Sequence, residues 1–196
     1  MPRRRREASG AVYPVREDSR LLARFARPRR GERVLEVGCG RGVATLASAR
    51  RGARLVVATD LNPAAVRAVL RRARNESLPV EAVRTDLAAG LRRFDLILSN
   101  PPYLPTTARQ RDRDPWENLA LDGGLDGCRV TARLIAELPH HLAPRGRAYL
   151  VISSLQSRER LNEIRRRWLR GDGDCSTVAR QRWGKETLSV WRLSRG

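Results

Sequence analysis

The sequence predicts an α/β domain: a seven-stranded, mostly parallel sheet with helices on both faces and a C-terminal β-hairpin. Apolar stretches of strand length at residues 33–37, 55–60, 80–84 and 94–99 alternate with segments of helical period. Most of these strands read as continuous apolar runs, the pattern of a sheet covered on both faces. The last two strands, 176–181 and 187–193, follow one another across a short polar turn, as a hairpin does.

A chain of 196 residues has the size of one domain and enough material for a sizeable core. Residues 12–196 are expected to form that domain and residues 1–11, with their arginine run at 3–6, a basic disordered tail. No apolar run reaches the length of a membrane-spanning helix, and the Arg-rich start lacks the apolar segment of a secretory signal. A cytoplasmic protein with no membrane partner is therefore expected. Cys39, Cys128 and Cys175 are odd in number, far apart and form no Cys-x-x-Cys, which argues against a disulfide framework and against zinc. The formal net charge of +19 comes almost wholly from arginine, Lys185 being the sole lysine. Such a charge favours polyanions, RNA or the ribosome foremost, or an acidic protein partner; heat-adapted surface ion pairs or a GC-rich genome give the same composition. Aromatic residues are too few to suggest a stacking platform for single-stranded nucleic acid.

In chain order, Leu21, Leu22 and Phe25 share one face of a predicted N-terminal helix, with Asp18 or Ser19 as its cap and the acids near its start suiting the helix dipole. The strand at 33–37 runs into Gly38-Cys39-Gly40-Arg41-Gly42, and 43–51 then read as helical. Such glycines permit tight turns and close approach by a ligand. Glu36, an acid just before the first glycine, repels a pyrophosphate and attracts an ammonium group. This points away from a dinucleotide and toward a ligand with an amino-acid moiety. The strand at 55–60 ends in Asp60, roughly twenty residues past the glycine turn, where a carboxylate grips ribose hydroxyls. Asn62-Pro63 opens a helix to residue 74. A shorter strand at 80–84 is followed by Asp86. Alone it reads as a turn or cap residue; third in a series of strand-end acids, it is a candidate for an adenine amino group.

The fourth strand, 94–99, breaks abruptly into Asn100-Pro101-Pro102-Tyr103. Proline fixes its own φ, lacks an N–H and pushes the preceding residue into an extended conformation, so Asn100 is held at the carboxyl end of a strand. Its carboxamide offers an acceptor, the Pro101 carbonyl a second, and Tyr103 a flat wall. Together they suit a planar –NH₂ group, and Asn100, Pro101, Pro102 and Tyr103 are the catalytic candidates. Residues 104–127 form a long polar connection without evident regular structure, read as a lid or binding loop, with Trp116 either a recognition residue or, as the preferred role, its anchor to the core. A helix at 130–142, a strand at 147–153, an arginine-rich helix at 155–168 and the hairpin complete the chain. His140 and His141 are adjacent, do not share a helix face and are the only histidines, so neither a metal site nor a histidine triad is expected. Residues 171–174 lack the ligand spacing and terminal glutamate of a calcium loop and read as a turn.

With Glu36-Val37-Gly38-Cys39-Gly40, Asp60, Asp86 and Asn100-Pro101-Pro102-Tyr103 in this order, the chain resembles the class I S-adenosylmethionine-dependent methyltransferases, over residues 12–193. Within them it is similar to the release-factor glutamine methyltransferases, in their short archaeal and eukaryotic branch. The stretch Val12-Tyr13-Pro14-Val15-Arg16-Glu17-Asp18-Ser19 is similar to that branch's Tyr-x-Pro-x-Glu-Asp-Ser/Thr opening, with the proline displaced by one position. Asn-Pro-Pro-Tyr is the glutamine-methyltransferase signature, and Gly123-Gly124-Leu125-Asp126-Gly127 matches the Gly-Gly-x-Asp-Gly that follows it. The N-terminal helical domain of the longer bacterial enzymes is not expected here.

The resemblance implies a Rossmann-like fold and S-adenosylmethionine as cofactor, with S-adenosylhomocysteine as product. It implies Glu36 and Gly38 at the methionine part with Ser19 nearby, Asp60 at the ribose, and Asp86 and Leu87 at the adenine. Cys39, Gly40, Leu61 and Asn100 complete the cofactor set. The implied substrate is the glutamine amide of a Gly-Gly-Gln loop in a peptide-chain release factor. Some relatives methylate lysine on histones, and eukaryotic relatives need a small zinc-binding activator subunit that covers an apolar flank. Two rivals are carried: methylation of an exocyclic amine of adenine or guanine in nucleic acid, and a non-catalytic protein that keeps the cofactor fold to bind RNA or a partner.

Overall fold

The structure is a computed structural model, which describes residues 12–195; the basic run at 3–6 and the expected tail lie outside the described residues. The first helix, α1 (Glu17–Ala23), leads into β1 (Arg33–Val37), α2 (Val43–Arg50), β2 (Leu55–Asp60), α3 (Pro63–Asn75), β3 (Val80–Arg84) and β4 (Phe94–Ser99). The chain continues through α4 (Pro115–Leu121), α5 (Arg129–His141), β5 (Leu142–Ser153), α6 (Arg158–Arg170), β6 (Gly173–Trp183) and β7 (Glu186–Arg195). The seven strands form one sheet in the order β3-β2-β1-β4-β5-β7-β6. β1 to β5 run parallel, and the hairpin adds β7 antiparallel to β5 and β6 antiparallel to β7.

Successive residues of each central strand serve opposite faces, so each face has its own core. Leu35, Ile97, Leu150 and Ile152 meet Leu134, Ile135 and Leu138 of α5 and Leu161, Ile164 and Trp168 of α6. On the other face, Val34, Val56, Leu96, Leu98 and Val151 meet Leu21 and Leu22 of α1 and Ala44 and Ala49 of α2. Ala58 packs with Ala65 and Val69 of α3. Gly42 caps α2 with φ +70°, and a Cβ there would lie 2.6 Å from Val69 Cγ2. Only glycine lets the start of α2 press this closely on α3.

Several expectations need correction. α1 begins before Asp18: its cap is Arg16, with no side-chain cap bond, and Phe25 lies beyond the helix, its ring against Tyr149. The connection 104–127 is structured. A short 3-10 turn (Ala108–Gln110) and α4 fill it, and Asp114 caps α4 by accepting from Trp116 N–H at 2.9 Å, with Pro115 in the first turn. β5 starts at Leu142 rather than residue 147. Its ladder with β4 skips between Phe94 and Leu96, where Pro144 lacks an N–H and Arg145 has φ +61°. α6 starts at Arg158 because Ser157, not an earlier residue, caps it. The expected turn at 171–174 gives up Gly173 and Asp174 to β6.

Candidate active site

The sheet order reverses between β1 and β4: from β1 the chain winds outward through β2 and β3, then returns to β4 on the other side. Ligands of open α/β sheets bind at this switch point, outside the carboxyl ends of the strands. A cleft of about 480 Å³ lies there, lined by every site residue expected from the sequence: Ser19, Glu36, Gly38, Cys39, Gly40, Asp60, Leu61, Asp86, Leu87, Asn100, Pro101, Pro102 and Tyr103.

Glu36, the fourth residue of β1, is 5% exposed. Its Oε2 accepts the Thr45 N–H in the first turn of α2 at 2.6 Å and also the Thr45 hydroxyl. Burial pushes its carboxyl up to about 7; the Thr45 bonds pull against that rise and the nearby Asp60 adds to it. The glycine turn has used its own donors. Gly38 and Cys39 N–H both donate to the Thr59 carbonyl at 2.9 Å, and Gly40 N–H donates to Asp60 Oδ2 at 2.9 Å. A phosphate cradle needs such N–H groups turned toward the ligand; here they close the turn, and an acid stands in front of it. Asp60 also accepts the Asn62 N–H at 2.8 Å, and burial raises its carboxyl despite those two bonds. Each carboxylate retains unused lone pairs for hydroxyl or ammonium donors.

Three expected residues sit less simply. Asp86 borders the cleft with Oδ2 held by Arg133 of α5 at 2.7 Å. The Leu87 side chain is buried in the core, with φ +50°, and its carbonyl accepts from the Thr59 hydroxyl at 2.7 Å. The Cys39 side chain packs in a small apolar cluster, and burial drives its thiol far up. A thiol of that kind is inert as a nucleophile. Trp116, expected to anchor the connection in the core, lines the cleft instead, because α4 forms one of its walls.

At the other end of the cleft, Ser99 donates from Oγ to the Val37 carbonyl at 2.9 Å, which ties the end of β4 to β1. Asn100 follows, and its Oδ1 is buried without a hydrogen-bond partner among the described residues. Tyr103 is half-buried and its hydroxyl lies 3.4 Å from Asp18 Oδ2; burial, then Asp18, push its phenol well up. The glycine stretch 123–127 braces this end. Gly123 N–H donates to the Leu104 carbonyl at 2.9 Å, and Thr106 N–H to the Gly124 carbonyl at 2.9 Å. Gly127 has φ +72°, and a Cβ there would lie 2.4 Å from the Tyr103 carbonyl. Buried Gln156 donates to the Gly127 carbonyl at 2.9 Å and to Thr131 at 3.1 Å, and accepts the Ser153 N–H at 2.9 Å.

Sequence reasoning missed Asp18, Tyr13, Arg133 and Gln156 as parts of this region. Asp18 left a signal, since one acid suffices to meet a helix dipole and two stand at the start of α1. Tyr13 lines the cleft, its phenol pushed up to about 12 by burial and then by Asp18.

The methyltransferase small domain profile matches residues 15–114. A Methanocaldococcus jannaschii protein named for N5-glutamine methyltransferase activity is 36% identical over 156 residues, 79% of each chain. The human methyltransferase HEMK2 is 35% identical over 203 residues, covering 97% of this chain and 92% of its own. Among solved structures, Mtq2 of E. cuniculi, in a complex with Trm112 responsible for methylation of the termination factor eRF1, superposes with a TM-score of 0.72. It is 24% identical and covers 94% of this chain and 99% of its own, a likeness of fold.

Proposed function

This chain belongs to the methyltransferase small domain family, enzymes that use S-adenosylmethionine, and on that footing we propose that it methylates the side-chain amide nitrogen of glutamine in the Gly-Gly-Gln loop of a peptide-chain release factor. The observation that carries the reading is the buried, unpartnered Oδ1 of Asn100 beside the cleft. A buried acceptor left without a donor costs free energy, and a substrate –NH₂ relieves it. The N5-glutamine named for the Methanocaldococcus jannaschii protein favours an amide as that group, and the termination factor named for Mtq2 favours a release factor as its carrier.

The residues fit the cofactor. Glu36 suits the ammonium group, with Ser19, Gly38, Cys39 and Gly40 around the methionine part. Asp60 and Leu61 suit the ribose, and Asp86 and Leu87 the adenine. When bound, S-adenosylmethionine supplies an electrophilic sulfonium methyl. The protein's part is position and electrostatics. An amide nitrogen is a poor nucleophile because its lone pair is delocalised. Asn100 Oδ1 and the Pro101 carbonyl each take one N–H, which orients the nitrogen and favours the positive charge that develops on it. Pro102 keeps the turn rigid and Tyr103 flanks the amide plane. No strong base is needed beforehand, since the nitrogen's proton becomes acidic only as the methyl arrives.

A small zinc-binding activator subunit is part of the proposal. β3 is an edge strand, and Val83 on it and Leu61 beside it are exposed apolar side chains that such a subunit would cover. The exposed arginines are proposed to help the enzyme meet the ribosome or RNA around its substrate.

The test is transfer of labelled methyl from S-adenosylmethionine to purified release factor, to the factor with its Gly-Gly-Gln glutamine replaced by alanine, and to total RNA. Label on the first alone is the expected result. Label on RNA alone moves the assignment to a base amine, and label on both factor proteins moves it to another side chain such as lysine.

A further inference from the structure

Asp18 lines the cleft with its carboxylate facing the Tyr103 hydroxyl. It is 3% exposed, and among the described residues no arginine, lysine or histidine forms an ion pair with it, in a chain whose 40 basic residues outnumber 21 acids. A buried carboxylate without a cation is costly unless hydrogen bonds hold it. The structure supplies such bonds: Oδ1 accepts the Ser19 N–H at 2.6 Å and faces the Ser19 hydroxyl at 3.3 Å, and Oδ2 faces the Tyr103 hydroxyl at 3.4 Å. Helix stability does not explain the placement. Glu17, its neighbour in the first turn, already meets the helix dipole from the outside, 3.9 Å from Arg20. Leu21 and Leu22, buried against the sheet, fix α1 so that Asp18 turns inward to the cleft.

We propose that Asp18 is a positioning residue for methyl transfer, holding the Tyr103 ring at the angle that flanks the substrate nitrogen through a bond from the Tyr103 hydroxyl. The proposal rests on the amide-binding role given to Asn100 and Tyr103. The ring is pinned at two points. At its backbone, the missing side chain of Gly127 lets the Tyr103 carbonyl pack closely. At its tip, Asp18 takes the hydroxyl. Hydrogen bonds of this kind are long without substrate and tighten in the productive complex, and 3.4 Å leaves that room. Ser19, next in sequence, also lines the cleft, so one helical turn addresses both the cofactor side and the aromatic wall.

The test is a double-mutant cycle in the full chain with Asp18→Ala, Asp18→Asn and Tyr103→Phe. Asp18→Ala and Tyr103→Phe each lower kcat about tenfold, and the double variant is no slower than the slower single. Asp18→Asn keeps an acceptor oxygen and restores most of the rate, while Glu17→Gln behaves as wild type. Affinity for S-adenosylhomocysteine, measured by calorimetry, stays within about twofold throughout. Effects that multiply in the double variant overturn the proposal, as does a loss of cofactor affinity in place of kcat. A second readout needs no methyl acceptor: the ring resonances of the three tyrosines, labelled with carbon-13, in wild type, Asp18→Ala and Asp18→Leu. Loss of the acceptor shifts the Tyr103 signal and leaves that of Tyr149 in place; an unmoved Tyr103 overturns the proposal. Asp18→Leu removes the acceptor while keeping the side-chain shape if Asp18→Ala fails to fold. If the wild type labels no Gly-Gly-Gln substrate, the glutamine reading fails alone, and Asp18 is judged by the Tyr103 resonance and by kinetics on the acceptor that is labelled.

Discussion

Lowering the pH from 8 to 6 crosses the titration of Glu36, a buried acid of this cleft. Burial holds the Glu36 carboxyl at about 7, whereas its ordinary value is 4.5. An ammonium ligand binds the ionised form, so apparent affinity scales with the ionised fraction. With a pKa of about 7, roughly nine in ten molecules are ionised at pH 8 and one in ten at pH 6, which weakens binding about tenfold. Above pH 8 Glu36 contributes no further slope. The assay is calorimetry of S-adenosylhomocysteine at pH 6, 7 and 8 in buffers of different ionisation enthalpy. Near pH 7 binding releases about half a proton to the buffer. Glu36→Gln binds weakly at every pH and removes the slope. A wild-type affinity that is flat from pH 6 to 8, with no proton release, refutes the reasoning.

The same shift sets a stability trend. Between pH 4.5 and about 7 the folded protein keeps a proton on Glu36 that the unfolded chain has lost, so unfolding becomes easier as pH rises through that window. The whole change is about 3 kcal/mol and is complete above pH 8. Denaturant midpoints of the cofactor-free protein therefore fall from pH 5 to pH 8, and Glu36→Gln, which carries no charge to bury, shows a smaller fall.

Four further outcomes are expected. Asn100→Ala lowers turnover about 100- to 1000-fold while cofactor affinity holds; near-wild-type turnover in a methyl-transfer assay removes Asn100 from the mechanism. Asp60→Ala weakens cofactor binding about tenfold or more by calorimetry, and unchanged affinity removes Asp60 from the site. Gly127→Ala forces a Cβ to 2.4 Å from the Tyr103 carbonyl at φ +72°; it costs about 1–3 kcal/mol in a denaturant melt and lowers turnover with it. Arg147→Ala breaks a buried pair in which the guanidinium meets Glu32 at 2.8 and 3.0 Å, far from the cleft. It costs about 3–5 kcal/mol of stability, with kcat of the folded fraction unchanged.

The legible parts of this molecule are those set by local chemistry. Apolar runs placed β1, β2 and β4 at their observed bounds, because strands covered on both faces carry their burial in composition; β3, an edge strand with no buried residue, was read from its valines and its place after α3. The strand-end acids and the Asn-Pro-Pro-Tyr turn were legible for the same reason: parallel strands deliver their carboxyl ends to one crevice, so position along the strand fixes position in the site. α4 had a local signal, Asp114-Pro115, that the polar character of its loop obscured. Others had none. Arg145 breaks the start of β5 through a positive φ that a sequence does not display. Arg133 meets Asp86 across 47 positions, and Gln156 finds Gly127 and Thr131 across a fold that had first to be assembled. Asp18 reads locally as a helix-end acid; only the packing of α1 turns it inward.

The charge pattern of the cleft follows from the same geometry. At its edge, acids are neutralised: Asp86 by Arg133 at 2.7 Å, and Asp122 by Arg111 and Arg129, each at 3.3 Å. Along its floor, Asp18, Glu36 and Asp60 form no ion pair among the described residues. In a chain of net charge +19, three acids share one crevice without a paired cation, and burial raises the carboxyls of Glu36 and Asp60, so the crevice gains negative charge as pH rises. A cation entering the crevice meets no arginine paired to these three acids, and its arrival favours their ionised forms, so ligand charge and proton release are coupled there.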